Sequence, residues 1–305
     1  MKARKGDRLF AGFSRAAGGV VLVIMASIAA FLVWKAAPSF SNNSSNFLTE
    51  AAWFPDQDPP RFGIAALLFG TVTAAVLAMA LAVPVGLGTA LFITYYAHGR
   101  VAGALAFVID LLAAVPSIIY GLWALQALMP RMEGVGRWLD AHAGFIPIFD
   151  NTKDLYGKSL LVAGVVLSVM VLPTVSALSR EVFKQVPRSH TEAALALGAT
   201  RWEMLRMAVL PFGRPGMVSA AMLGLGRALG ETIAVALILS AAFEINIHLT
   251  EPGGNTFAAN IALKWNEAGP NGLSALIASG LVLFIITLVV NSTARAVVAR
   301  RAEFR

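Results

Sequence analysis

Six stretches of the chain are apolar and almost uncharged over the length that a helix needs to cross a bilayer. They are Ala16–Trp34, Phe62–Tyr96, Val101–Pro130, Ser159–Ser179, Pro215–Phe243 and Ala268–Ala294. About 20 apolar residues suffice for ~30 Å of hydrocarbon. Backbone polar groups there must be satisfied internally, so only helices and closed barrels can span. Long continuous apolar runs, without strict alternation, select helices. Composition agrees, with 57% hydrophobic residues, 13% charged and a mean hydropathy of +0.72. A soluble domain carries about 25% charge. A disordered chain and a disulfide scaffold are excluded on the same grounds, since there is no cysteine. The expected fold class is an all-α polytopic membrane protein with six transmembrane helices.

Two runs need comment. Phe62–Tyr96 is too long for one upright crossing and holds Pro84, so one long helix kinked near Pro84-Val85-Gly86 is expected in preference to a hairpin. Ala16–Trp34 follows a basic Met1–Arg8, yet it is long for a signal peptide and reads as a span.

Orientation follows from lysine and arginine. If the N-terminus is cytoplasmic, the inner segments hold 16 basic residues and the outer ones 7, with Arg227 within a span. This bias places both termini inside. It also accounts for a net charge of +7 without invoking nucleic acid. Trp34, Trp53, Trp123, Trp138 and Trp265 lie near span ends or outer loops, as an interfacial belt requires. The four histidines lack ligand spacing, so no metal site is expected. No nucleophile stands with a base and an orienting group. Gly157-Lys158-Ser159 resembles the end of a P-loop, but Thr152 occupies the place of its first glycine. A chance match is the simpler reading, and any ATP hydrolysis then belongs to another chain.

The cytoplasmic segment between the fourth and fifth runs carries the clearest signals. Ser189 with Glu192, and Thr200 with Glu203, each fit a capping box. Gly198 suits a helix C′ position. Two short helices, near 190–197 and 201–208, are expected around a tight turn. Small residues at 193, 194, 196 and 198 leave a surface able to enter a partner's groove. A helix lying on the membrane is the plainer alternative, and a DNA-reading helix-turn-helix is disfavoured by tethers at both ends.

Three ionisable groups lie inside the runs: Asp110, Arg227 and Glu231. Each costs roughly 2.5–3.5 kcal/mol at a helix centre, so each marks a pathway or a buried pair. Arg227 and Glu231 are four apart and are expected to share a helix face. Gly224, Gly226 and Gly230 lie alongside, and Gly226-x3-Gly230 is expected to form a helix-packing face. A guanidinium there can hold a tetrahedral oxyanion bidentately. A structural ionic network that includes Asp110 is an equal and compatible reading.

The spacing Glu192-Ala193-Ala194, Gly198, Leu210-Pro211 resembles the EAA-x3-G-x9-I-x-L-P motif of ABC importer permeases, with Ala208 in place of the usual isoleucine. Gly224–Thr232 (GLGRALGET), Pro84–Leu91, Asp110–Gly121 and Ala259–Ala268 resemble the permeases of phosphate ABC importers, and the PstC type more than the PstA type. The match runs from about residue 60 to residue 295. It implies a type I (MetI-like) permease fold, with residues 1–61 as N-terminus, first helix and outer loop, 62–295 as permease core with an EAA coupling loop at 187–211, and 296–305 as a cytoplasmic tail. It implies transport of inorganic phosphate, with Arg227, Glu231 and Asp110 on the substrate path and Glu192, Ala193, Ala194, Gly198, Leu210 and Pro211 coupling to an ATPase. It implies a plasma-membrane complex with a PstA-like permease, a PstB-like ATPase dimer holding ATP and magnesium, and an external PstS-like phosphate-binding protein; the chain itself would bind no cofactor. Permeation of sulfate or molybdate, a phosphate-status signalling scaffold and a secondary transporter are the rival functions.

Overall fold

The structure is a computed structural model that describes residues 5–302, and side-chain environments for 9–296. Lys2, Arg4 and Arg305, part of the charge bias above, lie outside the described residues. Helices dominate. Five are long and apolar enough to cross a membrane, and a bent pair can supply a sixth crossing.

The centre of the bundle is α6 (Leu160–Lys184), the most buried of these helices. Its N-cap Ser159 accepts a hydrogen bond from the Val162 amide. Helix α2 runs from Ala65 to Leu91 and continues through a π-helical turn, Phe92–Tyr96. It is one uninterrupted 32-residue span with Pro84 inside it, as the sequence suggests. An alanine face on α2 (Ala74, Ala78, Ala82) packs in the same core cluster as Ala163, Val166 and Met170 of α6. Side-chain bulk is removed where backbones come close. A Cβ on Gly224 of α9 (Leu210–Gly230) would stand 2.7 Å from Val171 and 2.9 Å from Val175. So α2, α6 and α9 form a compact core by small-residue packing, the mechanism available where lipid supplies no hydrophobic drive.

The third run does not form the single straight span that its apolarity suggests. Helix α3 (Gly99–Ala113) and the rod that starts with α4 (Ser117–Trp123) and ends with α5 (Met129–Ala143) meet at 94°. The cause is Pro116, which lacks the N–H that would close the helix on Leu112 and disfavours α geometry at Val115. The Leu112 carbonyl instead accepts from the Val115 amide at 3.2 Å and from the Tyr120 hydroxyl at 2.8 Å. The fifth run is also redrawn. Its helix starts early, at Arg201, and stops at Gly230. A short α10 (Ile233–Ile238) follows after a break, and a short α11 (Phe257–Lys264) precedes the last span.

Helix α1 (Lys5–Asn42) is almost wholly exposed and lies along α12 (Pro270–Ala302). Ser274 ties the two by accepting from the Ser39 amide and donating to the Lys35 carbonyl. The segment after α1 is more ordered than a solvated loop. Strands β1 (Trp53–Phe54) and β2 (Arg61–Phe62) pair, and Trp53 is buried against Phe62 and stacked on Phe243, 6.0 Å between centroids. Trp53 is therefore a core residue, whereas Trp34, Trp123, Trp138 and Trp265 are exposed as a belt requires. Asp56 caps α12 by accepting from the Gly269 and Gly272 amides.

Candidate functional site

Arg227 lies in the last turn of α9, half-buried. Its Nη1 donates to Thr174 Oγ1 of α6 at 3.3 Å. It lines a cavity of ≈ 630 Å³ between α9 and α12. Among the described residues no carboxylate is within ion-pair distance of it.

Glu231 is not on the same helical face. It is the first residue beyond α9, with extended backbone (φ −67°, ψ 128°). Its Oε1 accepts from the Ala234 amide at 3.2 Å and so caps α10. A carboxylate at a helix N-terminus meets unpaired amides and the positive end of the dipole. This local reward competes with helix continuation and places the break at Glu231-Thr232. The glycines separate as well. Gly224 makes the close contact with α6, while among the described residues no atom would lie within 4 Å of a Cβ on Gly226 or Gly230. The expected Gly226-x3-Gly230 packing face is unpacked in this chain, and Gly226 instead lines the cavity.

Asp110 does not join Arg227. Both its oxygens accept from Nη2 of Arg180, each at 3.2 Å. Arg180 is nearly buried, its Nε reaches Glu181 at 3.4 Å, and its Nη1 is buried without a partner. The Ser176 and Ser179 hydroxyls, in the same two turns of α6, are also buried and unpaired. Arg180 is six residues from Thr174, about 9 Å along the helix axis. The Asp110–Arg180 pair is thus a separate ionic station toward the α6 C-terminus. Sequence reasoning missed Arg180 because it follows the apolar run directly and so looks like an ordinary flanking charge.

The α6 C-terminus leads into the segment that carries the EAA-like spacing. Helix α7 (Arg188–Ala196) presents Glu192 and Ala193 on an exposed surface and has no buried residue. It begins at Pro187, one position before Arg188, so Ser189 falls inside the first turn and does not cap it. Gly198 has φ +85°, a left-handed conformation that disfavours a side chain. The Gly198 amide donates to Leu195 O and the Ala199 amide to Ala194 O, a Schellman closure. The second capping box is present: Thr200 Oγ1 accepts from the Glu203 amide, and Glu203 returns a carboxylate to the Thr200 amide. Helix α8 (Arg201–Met204) does not end there. A π-helical turn, Leu205–Val209, carries it into Leu210-Pro211 and α9. The wider turn accommodates Pro211, whose ring would crowd a regular helix. Met204, Leu205 and Val209 are buried with Phe183 and Ala90, and Tyr95 donates to the Phe183 carbonyl at 3.0 Å. The exposed α7 and its turn are therefore rooted in α2, α6 and the α9 rod. Displacement of the turn must load all three.

At the opposite end, Glu251 organises the loop before α6. Its side chain is fully buried and accepts from the Thr152 amide and hydroxyl, from Asn246 and from Lys153. Burial alone raises its pKa, but these hydrogen bonds outweigh burial and hold it down at about 2.

This architecture has known counterparts. The sequence profile of the family "Binding-protein-dependent transport system inner membrane component" matches residues 82–303. The chain is 45% identical to "Phosphate transport system permease protein PstC 2" of Mycobacterium tuberculosis over 97% of its own length and 92% of that protein. It is 44% identical to PstC of Mycobacterium leprae over 98% of its own length and 95% of that one. The chain belongs to this permease family. The permease also shares its fold with an inward-facing MetNI methionine ABC transporter, with a TM-score of 0.53 at 15% identity, over 78% of this chain and 94% of that one. The MetI-like permease fold is thereby established. Among the described residues of the permease, no cluster of histidine and carboxylate side chains is placed to hold a metal ion.

Proposed function

We propose that the chain is the transmembrane subunit through which inorganic phosphate passes inward, driven by ATP on a separate ATPase dimer that also holds the magnesium. The observation that carries the reading is Arg227: a cation without a carboxylate partner among the described residues, facing a cavity with largely apolar walls. Fixed charge in such a place attracts a multivalent oxyanion strongly. The PstC-named relatives support phosphate as that oxyanion. Glu231 stands at the break just beyond Arg227, on the side away from the coupling loop, and its carboxylate tempers the hold on the anion so that it can leave. Asp110 acts through Arg180 as an anchor of α3 to α6 and does not meet the anion.

Glu192, Ala193, Ala194 and Gly198 form the face that enters the ATPase, while Leu210 and Pro211 transmit its movement into α9. Both ends of the chain and this face lie in the cytoplasm of a bacterial cell. A PstA-like permease completes the path, and a PstS-like protein delivers phosphate to the opposite side.

The test is labelled orthophosphate uptake in cells relying on this importer, with excess sulfate and with ATP depletion as challenges. Arg227→Gln is expected to abolish sulfate-insensitive, ATP-dependent uptake while the complex still assembles. Normal uptake by that variant removes Arg227 from the mechanism. Uptake that sulfate competes away overturns the substrate.

A further inference from the structure

Arg227 is not the only cation on its cavity. From α12, Asn291 and Arg295 line the same ≈ 630 Å³ space, with Ser219 of α9 facing them. In the sequence Arg295 is only the charge that closes the last apolar run. The structure folds it back onto the groove that begins at Arg227. Asn291 and Arg295 are four apart on α12 and share a face. Ser219 precedes Arg227 by eight residues, about 12 Å along α9. In the orientation derived above α12 runs toward the cytoplasm and α9 away from it, so Ser219, Asn291 and Arg295 mark the end of the groove nearer the coupling loop.

The electrostatics of this groove are one-sided. No carboxylate lines it, and among the described residues neither guanidinium has an acidic partner. The walls between the polar groups are apolar: Val218, Met222, Leu223 and Ala294. Like charges facing one poorly polarisable space raise its positive potential, and an anion relieves it. Arg227, at membrane depth, faces this cavity in place of lipid tails, and Arg295 is exposed at the end of the last apolar run. Asn291 adds an amide that can donate to an oxygen, and no described side chain uses it.

We infer that Arg295 and Asn291 form a second phosphate oxyanion subsite, an inner station to which the anion passes from Arg227 before leaving toward the coupling-loop side. This rests on the reading of Arg227 given above. Two stations along one groove divide one long release step into two shorter ones. A single tight site would instead trap the anion.

The test compares Arg227→Gln, Arg295→Gln and Arg295→Lys in the assembled importer, reconstituted with its binding protein in bilayers of purely zwitterionic lipid and in bilayers containing anionic phospholipid. The readouts are the maximal rate and the half-saturating concentration of orthophosphate uptake, with ATPase co-purification as the control of assembly. In both lipids Arg295→Gln is expected to lower the maximal rate roughly tenfold at unchanged half-saturation, because capture from outside is upstream of it. Arg295→Lys keeps the charge without the bidentate fork and is expected to recover part of the rate. Full activity of Arg295→Gln beside an inactive Arg227→Gln overturns the inner station and leaves the reading of Arg227 intact. Full activity of both variants overturns both readings. If wild type in purely zwitterionic lipid is as slow as Arg295→Gln in anionic lipid, the subsite holds a lipid headgroup and the inference of a transported anion falls.

Discussion

Asp110→Asn is expected to destabilise the protein more than Arg180→Leu, although the first breaks one ion pair and the second two. The two partners differ in burial: the Arg180 side chain is 9% exposed and that of Asp110 is 52% exposed. Stranding one charge of a fully buried pair costs roughly 3–5 kcal/mol. Exposed pairs are worth about 0–1 kcal/mol. With one partner half-exposed, the expectation for Asp110→Asn is discounted to about 1–2 kcal/mol. The residual charge decides the asymmetry. After Asp110→Asn the guanidinium keeps only the 3.4 Å contact to Glu181, beside an Nη1 that has no partner. It cannot shed its proton. After Arg180→Leu the buried charge and its orphaned nitrogen are both gone. The remaining carboxylate is half-exposed and can be solvated, so a change within about 0.5 kcal/mol is expected. The double variant should be more stable than Asp110→Asn alone, which a double-mutant cycle reads directly. The assay is the thermal midpoint of the solubilised, assembled complex, with phosphate uptake measured alongside. An Asp110→Asn protein as stable as wild type, or an Arg180→Leu protein that is the weaker of the two, refutes the reasoning.

Three further outcomes follow from the geometry. Gly198→Leu forces a side chain onto φ +85° at a cost of roughly 1–3 kcal/mol, and ATPase recovery on purification should fall; undiminished recovery disconnects this turn from docking. Gly224→Ala should lower the thermal midpoint by an amount worth about 1–3 kcal/mol, because its methyl meets Val171 and Val175 at 2.7 and 2.9 Å, whereas Gly226→Ala should stay within about 0.5 kcal/mol; equal effects would contradict the packing described. Glu251 has a pKa lowered from 4.5 to about 2, so its ionised form stabilises the loop fully above pH 4.5, and that support is lost as pH falls toward 2. Protection of the Thr152 amide from hydrogen exchange, taken relative to its intrinsic rate at each pH, should fall over that window in wild type and be low and flat in Glu251→Gln; an unchanged profile in the variant removes Glu251 as the anchor.

Much of the fold was legible because bilayer physics writes itself into sequence. A span must be apolar and long, so α1, α2, α6 and α12 stand at their expected runs. Turn chemistry is local too, which is why Gly198, Thr200 and Glu203 behave as their residue types dictate. The misread positions share a different cause. Pro84 and Pro116 look alike in sequence, yet α2 runs on through Pro84 while the chain turns 94° near Pro116. At the second, Tyr120 lies one turn on and, with the Val115 amide, satisfies the freed carbonyl, so the break leaves little unpaired.

The same holds at the candidate site. The presence of Arg227, Glu231 and Asp110 at membrane depth follows from the sequence, since each is an ionisable group in an apolar run. Their partners do not. Four-residue spacing implies a shared face only while the helix continues, and Glu231 ends it by capping α10. Asp110 goes to Arg180, 70 positions away, and Arg295 reaches the groove of Arg227 from the far end of the chain. The sequence by itself determines which segments enter the membrane, which turns close and which residue types carry charge, because solvation and backbone geometry act within a few residues. Only the tertiary structure decides which charges meet, because long-range pairing depends on how α3, α6, α9 and α12 cross, and the glycines, breaks and proline that set those crossings act across the bundle.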